Sequence, residues 1–249
     1  PFYKPAVSFS INKSDVVTSV SQSLKDDTYN LFPIEKDIHV IPNFIELDKI
    51  RNESLISCQR SVMAKKEERI VTHISNFRRV KRIPDVVKIF YKIQQQIPAK
   101  LMMVGDGPEK AKAEQLCEDL GIQDKVIFFG NSNEIDQILS YSDLFLLPSE
   151  TESFGLAALE AMAWSVPVIS SNSGGLPEVN FDGVSGYLSA VGDIDSMAEN
   201  AVTILKEDAI LAEFRTNALN VAKQFDIKNI LPLYENLYLE AIKETQCEK

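Results

Sequence analysis

Two carboxylates eight positions apart, Glu152 and Glu160, bracket the start of a segment with helical apolar spacing. The stretch from Pro148 to Ala163 reads Pro-Ser-Glu-Thr-Glu-Ser-Phe-Gly-Leu-Ala-Ala-Leu-Glu-Ala-Met-Ala. An apolar strand ends at Pro148, a polar loop follows, and a helix starts near Phe154. Ser153 stands where an N-cap would, and Gly155 lets a ligand approach the backbone closely. The first-turn amides of such a helix lack intrahelical partners and carry partial positive charge, so they favour a diphosphate. Glu152 falls just before the helix, and Glu160 lies about 7–9 Å further along its axis at about 1.5 Å per residue. Carboxylates so placed can accept hydroxyl hydrogen bonds from a sugar on one side of a diphosphate and a ribose on the other. The plainer reading has Glu152 offsetting the helix dipole and Glu160 solvated.

The cations point to the same chemistry. The chain carries a net charge of −10, which argues against a protein that coats nucleic acid. Against that background Arg78, Arg79, Lys81 and Arg82 cluster in one loop, either solvated or facing a phosphate. Neither histidine is placed for acid–base work: His73 lies inside an apolar strand and His39 starts another, exposed. Asp193-Ile194-Asp195 has the Asp-x-Asp spacing of some metal sites, but it opens a late helix, where Asp195 reads as a cap. No metal is expected. Cys58, Cys117 and Cys247 form no close pair, which suits a reducing compartment, and Cys117 reads as a core or boundary thiol. With no apolar run near 18 residues and no signal peptide, stable membrane insertion is not expected and a cytoplasmic setting is.

These residues need a scaffold, and the pattern supplies one. From Arg69, apolar β-runs recur at Ile70–Ile74, Lys100–Val104, Val126–Phe129, Leu144–Leu147 and Val166–Ser170. Between and after them, helical periodicity covers Pro84–Gln96, Pro108–Leu120, Asn133–Tyr141 and Phe154–Trp164. Strand–helix alternation with near-continuous apolar strands predicts an α/β fold: a doubly wound, Rossmann-like parallel sheet covered on both faces. Its ligand crevice belongs at the carboxyl ends of the strands. Later segments read as helices at Asp195–Leu205, Ala209–Lys223 and Lys228–Lys243, with Tyr234, Leu237, Tyr238 and Ala241 on one face of the last. Residues 1–50 differ, with a strand over Asp15–Ser21, a helix over Ser23–Leu31 and a strand over His39–Ile41. They read as the tail of another domain whose start lies upstream, and the opening Pro1 suggests a fragment or processed product. The expected division is 1–50 for that tail and a linker, 51–226 for the ligand-binding domain, and 227–249 for a final crossover helix.

The Glu-x7-Glu stretch resembles the signature of glycosyltransferase family 4, retaining enzymes of the two-domain GT-B fold. Other segments fall in that family's order: Val104-Gly105-Asp106-Gly107-Pro108, Ser173-Gly174-Gly175-Leu176-Pro177-Glu178, Val40-Ile41-Pro42-Asn43, and Asp182-Gly183 with Gly186-Tyr187. The resemblance implies that this chain is the C-terminal, nucleotide-sugar-binding half, with Glu152 on donor-sugar hydroxyls and Glu160 on the ribose. It also implies a Gly-Arg-x5-Lys-like segment for the diphosphate. Here that segment is Ser75-Asn76-Phe77-Arg78-Arg79-Val80-Lys81-Arg82, so Lys81 takes the Lys position while Asn76 replaces the usual Arg, leaving Arg78 or Arg79 to supply that cation. Lys81 and Glu152 are then the catalytic candidates. The implied donor-binding set is Asn76, Arg78, Lys81, Asn131, Glu152, Ser153, Phe154, Gly155, Leu156 and Glu160.

The departures, including Asn43-Phe44-Ile45-Glu46 after the linker, look like the bacterial subfamily that joins N-acetylglucosamine from UDP to L-malate in bacillithiol biosynthesis. That likeness implies UDP-GlcNAc and L-malate as small-molecule substrates, no cofactor, no nucleic-acid partner, and leaves room for a homo-oligomer. The family's acceptor-side Gly-rich loop and histidine are not found here, so this piece is expected to bind UDP or UDP-sugar weakly and transfer nothing by itself. Another family 4 transferase with a different donor or acceptor, a UDP-N-acetylglucosamine 2-epimerase of the same fold, and a non-catalytic nucleotide-binding or receiver-like module remain as alternatives.

Overall fold

The computed structural model describes residues 3–53 and 60–247. The first part runs α1 (Lys4–Lys13), β1 (Val17–Ser19), α2 (Gln22–Leu31), β2 (Ile38–Val40), α3 (Leu47–Glu53) and α4 (Arg60–Met63). Strand and helix then alternate through β3 (Arg69–Ile74), α5 (Ile83–Gln94), β4 (Ala99–Val104), α6 (Lys110–Asp119), β5 (Val126–Gly130), α7 (Ile135–Ser140), β6 (Leu144–Leu147), α8 (Leu156–Ala163), β7 (Val168–Ser171) and β8 (Gly186–Ser189). Three helices finish it: α9 (Ile194–Leu205), α10 (Asp208–Ala222) and α11 (Ile227–Cys247).

Six strands form one parallel sheet in the order β5-β4-β3-β6-β7-β8. The chain winds outward from β3 to β5, returns to lay β6 on the other side of β3, and winds outward again. This is the doubly wound arrangement, with its switch point between β3 and β6. Alternation along β6 shows how the sheet is sealed: Leu144 and Leu146 pack with α5 and α9, whereas Phe145 and Leu147 pack with α8 and α10. Val86, Ile89, Phe90 and Ile93 of α5 are fully buried, each contributing about 1.5–3 kcal/mol. β8 escaped the sequence reading because it is four residues long and opens on a glycine, which weakens a strand pattern.

β1 and β2 form a separate two-stranded parallel sheet. The two expected boundaries meet in space: Ile45 donates its amide to the Phe225 carbonyl at 3.0 Å and accepts the Ile227 amide at 2.8 Å, where α11 begins. α11 then packs Ile230 and Leu237 against Ile41, with Tyr234 alongside. Tyr238, expected on the same face, is instead 64% exposed, because the apolar stripe follows the 230–234–237 spacing. Cys117 is buried and free, its thiol pushed up to about 11 by burial; Cys58 lies outside the described residues.

Candidate functional site

The loops leaving the carboxyl ends of β3 and β6 lie side by side at the switch point. They are tied by the Glu150 amide, which donates to the Val80 carbonyl at 2.8 Å. After β3 the chain makes a short 3-10 turn, Arg79–Lys81, that brings Lys81 back over the β6 loop. Its Nζ donates to Glu152 Oε1 at 2.5 Å, and Ser149 Oγ donates to the same oxygen at 2.8 Å. Both side chains are largely withdrawn from water, 20% exposed for Lys81 and 14% for Glu152. The other cations of the loop are not drawn in. Arg82 is held by Asp85 at 2.5 Å, and Arg78 and Arg79 are exposed.

The helix after Glu152 starts two residues later than expected. Its N-cap is Gly155, left-handed at φ 100°, and no side chain caps it; Ser153 lies outside the helix. The reason is packing. Phe154 is buried and sets its ring edge-on to Phe225 at 5.8 Å, so the chain must dive into the core before it can coil. The helix start is therefore left without a side-chain cap, which suits an anion. A third loop braces this turn from behind. Gly175 N donates to the Glu152 carbonyl at 2.8 Å, and at Gly174, with φ +59°, a Cβ would stand 2.1 Å from that oxygen.

Between these loops opens a cavity of about 450 Å³, lined by Asn76, Lys81, Asn131, Leu156, Ala157 and Glu160 together with Ser75, Gly105 and Ser132. Five of the expected donor residues, Asn76, Lys81, Asn131, Leu156 and Glu160, thus share one hollow, and Glu152 is joined to it through Lys81. Arg78, Ser153, Phe154 and Gly155 are not in its lining; the Phe154 side chain belongs to the core. Ser75 was missed as a lining residue. The signal for it is position, directly after an apolar strand at the switch point.

Glu160 accepts no side-chain hydrogen bond from the described residues. Burial, and then the negative charge of Asp136, raise its pKa above the usual carboxylate range. Asp136 is itself held by the Trp164 indole N–H at 2.8 Å. A half-buried carboxylate without a donor has the acceptor capacity that a pair of hydroxyls would use. His73 is fully buried, with Nδ1 2.8 Å from the Leu146 carbonyl and Nε2 2.8 Å from Ser75 Oγ. Since a carbonyl only accepts, Nδ1 carries the proton and Ser75 donates to Nε2. Burial first, and the nearby Lys81 last, lower its pKa to about 4, so it stays neutral and pins β3 to β6.

Asp193, not Asp195, caps α9, accepting the Ser196 amide at 3.0 Å, while Asp195 pairs with Lys92 at 2.7 Å. Among the described residues no three His, Cys, Asp or Glu side chains are grouped as a metal would require, and no helix is long and apolar enough to cross a membrane.

Comparison with known proteins bears on this crevice. The family model described as "Glycosyl transferases group 1" matches residues 59–221. The N-acetyl-alpha-D-glucosaminyl L-malate synthase of Bacillus anthracis is 40% identical over 250 residues, covering 100% of this chain and 66% of that protein. An uncharacterized glycosyltransferase of Methanocaldococcus jannaschii is 30% identical over 91% of this chain and 60% of its own length. The chain thus spans about two thirds or less of these curated relatives. Among solved structures, Anabaena HepE in complex with UDP and glucose superposes with a TM-score of 0.85 at 23% identity, over 95% of this chain and 67% of that one. A sucrose-phosphate synthase from Thermosynechococcus elongatus gives 0.85 at 22% identity, over 98% and 62%. At these identities the structures speak for the fold.

Proposed function

We propose, from the premise that the chain belongs to the group 1 glycosyl transferases, that its crevice holds the diphosphate of UDP-N-acetylglucosamine and that the protein transfers the sugar to the hydroxyl of L-malate. The observation that carries the donor half of this reading is Lys81, held at a switch-point cavity beside an uncapped helix start and a donor-less carboxylate. The acceptor half rests on the 40% identity to an L-malate synthase.

In the reaction, the acceptor oxygen forms a bond to the anomeric carbon while the bond from that carbon to the diphosphate oxygen breaks, and the acceptor hydroxyl's proton passes to the departing diphosphate. UDP leaves on the face that the acceptor attacks, so the configuration is retained. Negative charge grows on the leaving diphosphate, and the ammonium of Lys81 and the amides of α8 stabilise it. Both are fixed before the reaction, so little reorganisation is needed, and they supply what a divalent ion would supply elsewhere. Glu152 orients the sugar through its hydroxyls. Because it holds Lys81 in the free protein, donor binding is an exchange of partners: Lys81 turns to phosphate and Glu152 to hydroxyl. Glu160 takes the ribose.

Titration of thermal stability with UDP-GlcNAc, UDP-glucose and GDP-mannose tests the donor. A ligand at a hundred times its Kd stabilises by about 2.7 kcal/mol, and only the uridine ligands are expected to do so. Equal stabilisation by GDP-mannose, or none by any ligand, would sink the reading.

The raised pKa of Glu160 gives binding a pH dependence with a definite sign. Its charged form takes the hydroxyl hydrogen bonds, so UDP affinity is full above that pKa and falls as pH drops through it, at higher pH than an ordinary carboxylate would allow. The free fold behaves oppositely, losing stability as pH rises through the same pKa. Calorimetric Kd values for UDP-GlcNAc, whose doubly esterified diphosphate has no group titrating between about pH 5 and 8, should weaken toward the acid end. A Glu160→Gln protein should show a flat profile, and an equal slope in both proteins would assign the titration elsewhere.

A further inference from the structure

The carboxyl ends of β1 and β6 meet. Ser21, buried just past β1, donates its Oγ to the Ser153 carbonyl at 2.6 Å and accepts the Leu24 amide at 3.0 Å as the N-cap of α2. The first two amides of α2 find no local partner. Gln22 N and Ser23 N donate to the two oxygens of Glu178, at 2.8 and 2.9 Å, across separations of 156 and 155 residues. These are charge-assisted bonds from a carboxylate onto the positive end of a helix. Glu178 ends the loop whose Gly175 amide grips the Glu152 carbonyl. Both holds on α2 therefore converge on one dipeptide, Glu152-Ser153, whose first side chain pairs with Lys81.

We propose that Glu178 and Ser21 couple occupancy of the crevice to α2, making Glu178 a positioning residue that acts between the two sheets. The proposal rests on the reading that the crevice binds UDP. When the diphosphate draws Lys81 away, Glu152 loses its 2.5 Å partner, and any shift of the Glu152-Ser153 backbone is passed to the Gly175 amide on the Glu152 carbonyl and to the Ser21 hydroxyl on the Ser153 carbonyl. Nucleotide binding is thereby felt at the amino end of α2, in the segment that follows β1. The Glu178 carboxylate already occupies the first two α2 amides, so that helix end is a joint rather than a ligand site.

Amide hydrogen exchange on this chain, with and without saturating UDP, tests the coupling. In the unaltered protein UDP should slow exchange at Gln22, Ser23 and Leu24 by about fivefold, the low end of common coupling factors. In Glu178→Ala those amides should exchange about tenfold faster without ligand, while β3 to β8 keep their protection. UDP should still saturate the variant, with a Kd altered by no more than the lost coupling factor, since coupling is reciprocal, but its effect on α2 should shrink at least about twofold, and vanish when Ser21→Ala is added. Ser21→Ala cuts the other hold and serves if Glu178→Ala does not fold. UDP binding without any response in α2, or a response undiminished in Glu178→Ala, overturns the coupling alone. An unaltered protein that binds no UDP overturns the crevice reading and the coupling with it.

Discussion

Replacing Lys81 with alanine is expected to raise the Kd for UDP by about 10–100-fold, the loss of one charge-assisted hydrogen bond worth about 1.5–3 kcal/mol. The size follows from how few cations serve the cavity. Arg82 is committed to Asp85, Arg78 and Arg79 stand in water, and Lys81 is the ammonium in the cavity lining. The same change acts on stability. Glu152 is only 14% exposed, and without Lys81 it keeps the Ser149 hydroxyl as its side-chain donor. An unpaired carboxylate at that depth costs about 1–2 kcal/mol, less than the 3–5 of a fully buried pair because some water reaches it. Glu152→Gln in the Lys81→Ala background should restore most of that stability and none of the UDP affinity, a double-mutant cycle in which the two readouts separate. Calorimetry for binding and urea unfolding for stability make the measurement. A Kd within threefold of the parent protein would mean that the diphosphate lies elsewhere.

What the sequence could and could not show follows from range. Five of the sheet's six strands were legible because each is a nearly unbroken apolar run between helical stretches, a pattern that buried parallel strands produce locally; β8, four residues opening on Gly186, lacks it. Glu160 and Lys81, which the family resemblance singled out, line one cavity. The other failures come from contacts distant in the chain. Ser153 reads as a cap until Phe225, far along the chain, claims Phe154 and delays the helix to Leu156. Arg78 or Arg79 looks able to supply the missing cation until the 3-10 turn aims Lys81 inward and leaves both in solvent. Asp195 reads as the cap of α9 until Asp193 takes that place and Lys92, on α5, pairs with Asp195. Nor could any local pattern reveal that Glu178 seats α2, because the partners are more than 150 positions apart.

At the amino ends of the strands, Asp143→Ala should be among the most damaging single changes to the fold, costing about 2–4 kcal/mol, because Arg60 and Arg215 are 26% and 37% exposed and water screens their lost pairing. Asp143 precedes β6 and is 5% exposed. One of its oxygens accepts from Arg60 at 2.8 Å and from the Ile70 amide at 2.8 Å, and the other from Arg215 at 2.6 Å. It therefore ties the amino ends of the two central strands, β3 and β6, to α4 and α10. Alanine would leave the buried Ile70 amide without an acceptor, about 1–3 kcal/mol by itself. It would also leave two guanidiniums facing each other. Arg60 retains the Tyr141 and Glu68 carbonyls, but Arg215 would be left with Ser142, and its Nε is already buried without a partner. Asparagine in place of Asp143 keeps an acceptor for Ile70 while removing the charge, so it should cost distinctly less. Against a total stability of about 5–15 kcal/mol, that loss is a large fraction of what holds the fold. Urea melts should show its midpoint falling at constant slope, with UDP affinity preserved in whatever remains folded, since Asp143 and the crevice occupy opposite ends of the strands. A loss under 1 kcal/mol would mean that the two arginines repel each other enough to make their shared partner dispensable.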